Sequence, residues 1–106
     1  MGSELKGYAG KELRVDLNTQ KNRIETIDTQ DIRNYLGGAG YAAKVLYEEL
    51  PKGIDPLGAD NKLIFATSPL TLNEVPGGGS IVLSFKSPLT NGWGESRAGG
   101  DFGPDM

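Results

Sequence analysis

Residues 76–100 read PGGGSIVLSFKSPLTNGWGESRAGG, an apolar segment with a glycine-rich stretch on each side. Residues 81–85 form a short, mostly apolar run, which predicts a strand in the middle of a sheet. We interpret residues 76–80 and 92–100 as two loops that flank this β element and converge on one ligand. Glycine has no Cβ, so its main chain can approach a flat or anionic ligand closely. The same glycines would also suit tight turns, and their pattern alone leaves both interpretations open.

The tetrapeptide Ser-Pro-Leu-Thr occurs twice, at residues 68–71 and 87–90, each time directly after an apolar run. The first of these runs, residues 63–66, predicts another buried strand. Proline lacks the amide hydrogen that a β-ladder needs, so the tetrapeptide predicts the same strand exit twice. We expect Leu70 and Leu89 to cover the ends of the sheet.

The first part of the chain has the pattern of a β-hairpin. The segment ELRVDL alternates polar and apolar side chains, which predicts a half-buried strand with Leu13, Val15 and Leu17 together on one face. Residues 18–22 predict the turn, and residues 23–27 predict the returning strand.

Two short helices follow the hairpin. Asp28 or Thr29 predicts the N-cap of the first, because either side chain can accept hydrogen bonds from the amides of the first turn. The second shows a helical period from Tyr41 to Leu50 and is stopped by Pro51. The tyrosines expected to pack against the sheet are Tyr35, Tyr41 and Tyr47. Together these elements predict an α+β fold: a β-rich, sandwich-like domain with an N-terminal hairpin and two short helices packed on the sheet.

The composition excludes several classes of site and partner. The chain has no Cys and no His, so it cannot supply thiolate zinc sites, iron–sulfur ligands, Ser-His-Asp triads or Cys-His dyads. Its formal charge of −3 comes from interspersed acidic and basic residues, which argues against nucleic-acid binding. No apolar stretch approaches the ~20 residues of a spanning helix, and no signal segment opens the chain. We therefore expect a cytoplasmic protein without a membrane partner.

Several motifs resemble, in order and near spacing, the opening of the tungsten-containing aldehyde:ferredoxin oxidoreductases. The motifs are GYAGKELRVDL (7–17), YLGG (35–38), IDPLG (54–58), NKLIFATSPLT (61–71), KSPLT (86–90) and AGGDFGP (98–104). Collinear motifs are far more specific than a single glycine loop. The resemblance implies that residues 7–106 are roughly the first half of the family's N-terminal tungstopterin-binding domain, a β-rich saddle. Residues 1–6 are interpreted as a start or a tag remnant.

The resemblance also implies a chemistry. Members of this family oxidise aldehydes to carboxylic acids and pass two electrons through a four-iron cluster to ferredoxin. Their tungsten is held by the dithiolenes of two pterins, and this bis-pterin cofactor rests on the N-terminal saddle. We therefore expect this chain to contact the pterin cofactor. Because it has no Cys, we expect the rest of the enzyme to bind the 4Fe-4S cluster and this chain to be inactive alone.

The resemblance assigns cofactor contacts to the two glycine-rich stretches. The residues expected to make them are Gly78, Gly79 and Ser80 in the first, and Ser96, Arg97, Ala98 and Gly99 in the second. In the family the second stretch also offers a main-chain oxygen to a magnesium ion that bridges the pterin phosphates, which implies this role for the backbone oxygen of Arg97.

The sequence departs from the family pattern at two of these positions. Ser80 stands where members commonly carry an Arg that faces the cofactor, so a planar cation with five donors is missing. Arg97 stands where Asn is usual, although a contact made by the backbone oxygen would survive that change. Lys86, at the end of a predicted strand, is interpreted as solvated, with a cofactor role as the alternative.

The resemblance also predicts partners. A full-length member continues after Phe102-Gly103-Pro104, so we expect this chain to meet either the remainder of the enzyme or a second copy of itself that covers exposed sheet edges. Two other hypotheses remain open from the sequence: a stand-alone dimerising module that carries pterin without redox turnover, and a domain that only folds.

Overall fold

The computed structural model describes residues 8–71 and 78–106, so Pro76 and Gly77 of the first glycine-rich stretch lie outside the described residues. The elements, in chain order, are β1 (Lys11–Asp16), β2 (Lys21–Thr26), α1 (Thr29–Tyr35), α2 (Gly38–Glu49), β3 (Ile64–Ala66), β4 (Ile81–Lys86), β5 (Trp93–Ala98) and α3 (Phe102–Asp105). β1 and β2 form a two-stranded hairpin, and a second antiparallel sheet has the order β3-β4-β5. The predicted α+β class is confirmed.

The core lies between α2 and the three-stranded sheet. The helical period of α2 places Ala42, Val45 and Leu46 on one buried stripe, and β4 contributes the buried side chains of Ile81 and Val82. β4 lies between its two partners, as its continuous apolar pattern predicted.

The two helices begin by different means. Asp28 is the N-cap of α1, and its Oδ1 accepts a hydrogen bond from the Gln30 amide at 2.9 Å, which settles the choice between Asp28 and Thr29. α2 begins at Gly38, whose amide donates to the Thr67 carbonyl at 2.9 Å. This bond ties the start of α2 to the end of β3.

The hairpin has the predicted alternation, but it turns its apolar face to solvent. Leu13 and Ile24 are cross-strand partners, and their exposed fractions are 63% and 70%. Val15, on the same face, is 55% exposed, and Leu17, in the turn after β1, is 86% exposed. The half-buried side of the hairpin is therefore the other one, contrary to the usual arrangement in which an antiparallel sheet buries its apolar side.

The opposite face of the hairpin carries charged residues only. Its members, paired across the two strands, are Glu12, Arg14, Asp16, Lys21, Arg23 and Glu25. Part of this face contacts α2: Arg14 donates to Glu49 at 2.6 and 2.7 Å, and the Tyr41 hydroxyl donates to Glu12 Oε1 at 2.9 Å. The hairpin is attached to the helix through ionic and hydrogen-bonded contacts.

Asn61 extends the sheet with its side chain. Its amide nitrogen donates to the Lys86 carbonyl at 3.0 Å, and its Oδ1 accepts from the Lys86 amide at 3.3 Å. The Asn61 amide group thus pairs with Lys86 as a backbone residue of β3 would. The same nitrogen donates to the Pro56 carbonyl at 2.8 Å, so the side chain also holds the loop that precedes β3.

Both Ser-Pro-Leu-Thr segments form turns after a strand, as predicted. In each, the serine hydroxyl accepts a hydrogen bond from the leucine amide two residues on, at 3.2 Å for Ser68 and 3.2 Å for Ser87. The predicted role of the leucines is wrong, because Leu70 is 52% exposed and Leu89 is 91% exposed. Neither side chain covers the sheet.

The prediction that three tyrosines pack against the sheet is also wrong. Tyr47 is almost fully exposed, and Tyr35 is exposed at the end of α1. Tyr41 is half-buried, but it uses its hydroxyl to hold the hairpin rather than the three-stranded sheet. Helical periodicity alone does not distinguish a tyrosine that packs on the sheet from one at the margin of the same helix face.

Candidate cofactor-contacting site

The two glycine-rich stretches meet at one end of the β4–β5 hairpin. Ile81, the first residue of β4, pairs with Ala98, the last residue of β5. Because the strands are antiparallel, the segment that enters β4 and the segment that leaves β5 must lie side by side. The two stretches therefore lie side by side, and their convergence on one ligand stays a prediction.

The contact between the stretches is made by backbone. A Cβ on Gly79 would lie 2.8 Å from the Gly100 carbonyl oxygen, closer than real Cβ atoms approach. A Cβ on Gly103 would lie 3.0 Å from the Gly79 carbonyl oxygen and 3.3 Å from Thr71 Cγ2. Gly100 has a φ of 92°, a conformation that other residues rarely adopt. These glycines thus bring main chain against main chain.

The interpretation of residues 92–100 as a loop is wrong for most of its length, because Trp93–Ala98 is strand β5. Strand alternation places Ser96 and Ala98 on one face of the sheet and Arg97 on the other. Among the residues predicted in this stretch, only Gly99 lies beyond the strand. The cofactor roles of Ser96, Arg97, Ala98 and Gly99 remain predictions, and a ligand on one face would meet the side chains of only some of them.

The backbone oxygen of Arg97 points to the free edge of β5. The Ser87 amide donates to the Gly92 carbonyl at 2.8 Å, which makes Ser87 and Gly92 a hydrogen-bonded pair. Hydrogen-bonded and non-hydrogen-bonded pairs alternate along an antiparallel ladder, so Val82 and Arg97 form a non-hydrogen-bonded pair. The amide and carbonyl of Arg97 therefore point away from β4, and within residues 8–71 and 78–106 no strand pairs with that edge.

The side chain of Arg97 is engaged by Glu95. Arg97 Nε donates to Glu95 Oε2 at 2.7 Å, and Trp93 Nε1 donates to Glu95 Oε1 at 3.1 Å. These residues form a row along one face of β5, at the two-residue spacing of a strand. Glu95 is not among the residues predicted from the sequence, and its two-residue spacing from Trp93 and Arg97 is the signal that could have found it. Glu95 therefore engages Arg97 through Nε, while the side chain of Arg97 stays 61% exposed.

Ser80 and Lys86 lie at opposite ends of β4. Ser80 is exposed and directly precedes the strand, beside the contact of Gly79 with Gly100. Lys86 ends the strand roughly 17 Å from its start, at about 3.3 Å a residue. Its Nζ donates to the Ile54 carbonyl at 2.8 Å. Lys86 is thus neither solvated, as the sequence suggested, nor near the glycine contact.

A groove of about 780 Å³ lies elsewhere, between α2 and the turn end of the β4–β5 hairpin. Its lining is mostly apolar and includes Tyr47, Leu50, Phe85 and Trp93. The glycine contact is at the other end of the hairpin and does not line this groove. The residues predicted to contact the cofactor, in the segment before β4 and at the end of β5, therefore lie outside this groove.

The described residues fit a pterin-type group through their main chain rather than their side chains. Gly78, Gly79 and Gly99 present backbone without a Cβ, and Arg97 presents an outward carbonyl. Within the described parts of the chain, no three His, Cys, Asp or Glu residues are grouped so that they could hold a metal ion. A hard cation at this end of β5 would accordingly take oxygen from backbone, a ligand type that magnesium accepts.

Helices long and apolar enough to cross a membrane are not found among the described residues.

Comparisons with known proteins agree with the fold and the motifs. The family model described as "Aldehyde ferredoxin oxidoreductase, N-terminal domain" matches residues 12–106. The tungsten-containing aldehyde ferredoxin oxidoreductase of Pyrococcus horikoshii is 40% identical over 100 residues, which are 94% of this chain and 16% of that protein. The aliphatic sulfonate oxidoreductase, WOR-like subunit, of Pyrococcus furiosus is 36% identical over 88 residues, which are 80% of this chain and 14% of that protein.

A solved structure shows the same arrangement. The active-site complex BamBC of benzoyl coenzyme A reductase, in complex with 1,5-dienoyl-CoA, matches with a TM-score of 0.90 and 32% sequence identity. The match covers 93% of this chain and 15% of that one. Fold, motifs and matches together define the class: an α+β N-terminal domain of large oxidoreductases. Within that class, this chain belongs to the aldehyde ferredoxin oxidoreductase family. It spans about one sixth of the length of the Pyrococcus horikoshii relative.

Proposed function

We propose that this chain forms part of the surface that carries a tungsten bis-pterin cofactor in an aldehyde-oxidising enzyme. The observation that carries the proposal is the backbone contact of Gly79 with Gly100, beside the outward carbonyl of Arg97. The names of relatives support tungsten, because two curated relatives that are 40% and 39% identical are called tungsten-containing aldehyde ferredoxin oxidoreductases. The same chain positions would serve a related oxidoreductase with another substrate.

In this proposal, the chain binds and orients the cofactor and takes no proton from the substrate. Gly78 and Gly79 let the cofactor approach the main chain, and Ser80 offers a hydroxyl. The Arg97 carbonyl would supply an oxygen ligand to a magnesium ion bound with the cofactor. The cofactor, when bound, would supply the redox chemistry, in which an aldehyde and water become a carboxylate and three protons while two electrons pass on to ferredoxin. The iron–sulfur cluster belongs to the remainder of the enzyme, because this chain has no Cys.

The test is cofactor retention in an anaerobic host supplied with tungstate. The chain alone and the chain fused to the remainder of the Pyrococcus horikoshii relative are purified, and tungsten, magnesium and acid-released pterin are measured for both. We expect near-stoichiometric pterin on the fusion and little on the chain alone. A folded fusion without pterin would contradict the proposal. Stoichiometric pterin on the chain alone would instead support the stand-alone carrier, and its oligomeric state would then decide whether it is a dimer.

Two variants in the fusion examine the assigned positions. Ser80→Arg restores the guanidinium that the family commonly carries, so we expect pterin to be retained through dialysis that strips the unmodified fusion. Arg97→Ala leaves the backbone oxygen in place, so we expect the magnesium content to stay within the error of the measurement. A loss of magnesium in Arg97→Ala would show that the side chain, and not the carbonyl, is required.

A further inference from the structure

The apolar side of the β1–β2 hairpin is an exposed surface made by Leu13, Val15 and Ile24 in the strands, with Leu17 in the adjoining turn, which we call the hairpin face. These four side chains are 55–86% exposed. Leu13 and Ile24 stand opposite each other across the strands, and Val15 lies two residues further along β1. The hairpin face is therefore continuous rather than a scatter of single residues. Contiguous apolar patches of this kind mark surfaces that another polypeptide covers.

The opposite side of the hairpin cannot exchange places with it. Arg14 is held by Glu49 and lies 3.1 Å from Glu12 Oε2, while the hydroxyl of Tyr41 donates to Glu12. Rotating the hairpin to bury its apolar side against α2 would break these contacts and leave Glu49 without its hydrogen bonds from Arg14. Separating a partly buried, hydrogen-bonded ion pair in this way is unfavourable, because a bidentate charged contact is lost. The hairpin face is thus directed outward by the fold.

We propose that the hairpin face is covered by the polypeptide that completes the enzyme, through an apolar surface of that polypeptide. The chain is only 16% of the length of the Pyrococcus horikoshii relative, so most of a family enzyme is available to supply the cover. The inference rests on family membership and not on cofactor binding. A failure of the proposed function would therefore leave this inference unaffected.

A second copy of this chain fits the hairpin face less well. Full burial of one Leu, Ile or Val removes roughly 60–120 Å² of apolar surface, so the four partly exposed side chains offer about 300 Å². A stable interface between separate proteins buries about 800 Å² on each partner. Packing within one enzyme has no such requirement, because the two surfaces are already held together. The area favours the remainder of the enzyme over self-association.

The absence of Cys from the chain allows a direct test with one introduced thiol. Val15→Cys is placed in the chain alone and in the fusion to the remainder of the Pyrococcus horikoshii relative, and its maleimide reaction rate is read by peptide mass spectrometry. We expect the thiol to react at least tenfold more slowly in the fusion. The matched control is Arg23→Cys, on the charged side of the same hairpin, whose rate should change less than twofold. The same comparison in a fusion to the remainder of the Pyrococcus abyssi relative covers a first fusion that fails to fold.

Three results would overturn the proposal. Equal reaction rates of Val15→Cys with and without the remainder would show that the remainder does not cover the face. A dimeric isolated chain with a protected Val15→Cys would assign the face to a second copy. The double variant Leu13→Ser/Ile24→Ser provides the third: its melting temperature in the isolated chain should match that of the unmodified chain, and a marked decrease would mean that the face is already packed.

Discussion

Arg14 in β1 and Glu49 at the end of α2 form a two-point ion pair, with Nη1 2.6 Å from Oε1 and Nη2 2.7 Å from Oε2. The hydrogen bonds from Arg14 are the largest cause that lowers the pKa of Glu49 below its ordinary value of 4.5. The same bonds raise the pKa of Arg14. This pair, 35 residues apart in the chain, fixes which side of the hairpin meets the helix.

Glu49→Gln should lower the free energy of unfolding at pH 7 by about 1–2 kcal/mol, because a bidentate charged contact is lost while both groups stay partly buried. Urea denaturation measures the change. Because folding lowers the pKa of Glu49, its contribution is fully present above the ordinary value of 4.5 and is lost as the pH falls through the folded value. The difference between the two proteins should therefore shrink below pH 4.5. Glu48→Gln, which removes only an exposed contact with Lys44, is the control and should change stability by less than about 0.5 kcal/mol.

Tyr41→Phe should lower the free energy of unfolding by about 0.5–1.5 kcal/mol at neutral pH, because the hydrogen bond to Glu12 is lost. Burial, followed by that hydrogen bond, raises the pKa of Tyr41 from 10.0 to about 12. The folded protein thus keeps a proton that the unfolded chain releases, so stability falls as the pH rises from 10 through about 12. Ultraviolet absorbance titration of the folded protein should show a tyrosine that ionises with a pKa of about 12, and Tyr41→Phe should abolish this ionisation. If Tyr47→Phe removes it instead, the assignment is incorrect.

Asn61→Asp should destabilise the chain by about 2–4 kcal/mol. The carboxylate has no hydrogen to donate, so the carbonyls of Pro56 and Lys86 lose their donor and face a negative charge. Urea denaturation at pH 7 gives the change in stability, and amide exchange at Lys86 should quicken if the edge of β4 opens. Asn34→Asp is the matched change at an exposed helical position where the side chain only accepts a hydrogen bond. Equal costs for the two variants would show that the pairing of Asn61 with Lys86 is unimportant.

Gly79→Ala should cost about 1–3 kcal/mol, because its Cβ would sit 2.8 Å from the Gly100 carbonyl oxygen and the two loops would have to separate. Gly99→Ala is the control in the neighbouring loop, where a Cβ meets nothing within 4 Å. It should change stability by less than about 0.5 kcal/mol. Thermal denaturation of both variants measures the difference. Similar melting temperatures would mean that the close approach at Gly79 is not maintained in solution.

The sequence predicts the strands of the hairpin but not its orientation. Alternation groups Leu13 and Val15 correctly on one face, since side chains on a strand alternate whatever surrounds it, whereas Leu17 lies in the turn after β1. Which face turns inward depends on Arg14 meeting Glu49 and on Tyr41 meeting Glu12, contacts that span 35 and 29 residues. Local pattern contains no information about such distant pairs.

The candidate site, like the hairpin, could be predicted from the sequence only in part. That two glycine-rich stretches meet follows from their positions before and after a pair of adjacent strands. That Trp93–Ala98 is a strand does not follow from its residues, because glycine and charged side chains disfavour strands when considered alone. Pairing with β4 imposes the strand, and the strand then sets Glu95 and Arg97 side by side. The missed contact of Arg97 is thus a consequence of the missed strand.

The attachment of the hairpin through Arg14, Glu49, Glu12 and Tyr41 affects how the fold responds to heat. The cost of removing water from charged groups falls as temperature rises, whereas the stabilisation from apolar burial levels off. Heating therefore favours the joint between hairpin and helix relative to the apolar core beneath α2. A rise in temperature should thus weaken the attachment of the hairpin to α2 less than the packing of α2 on the three-stranded sheet.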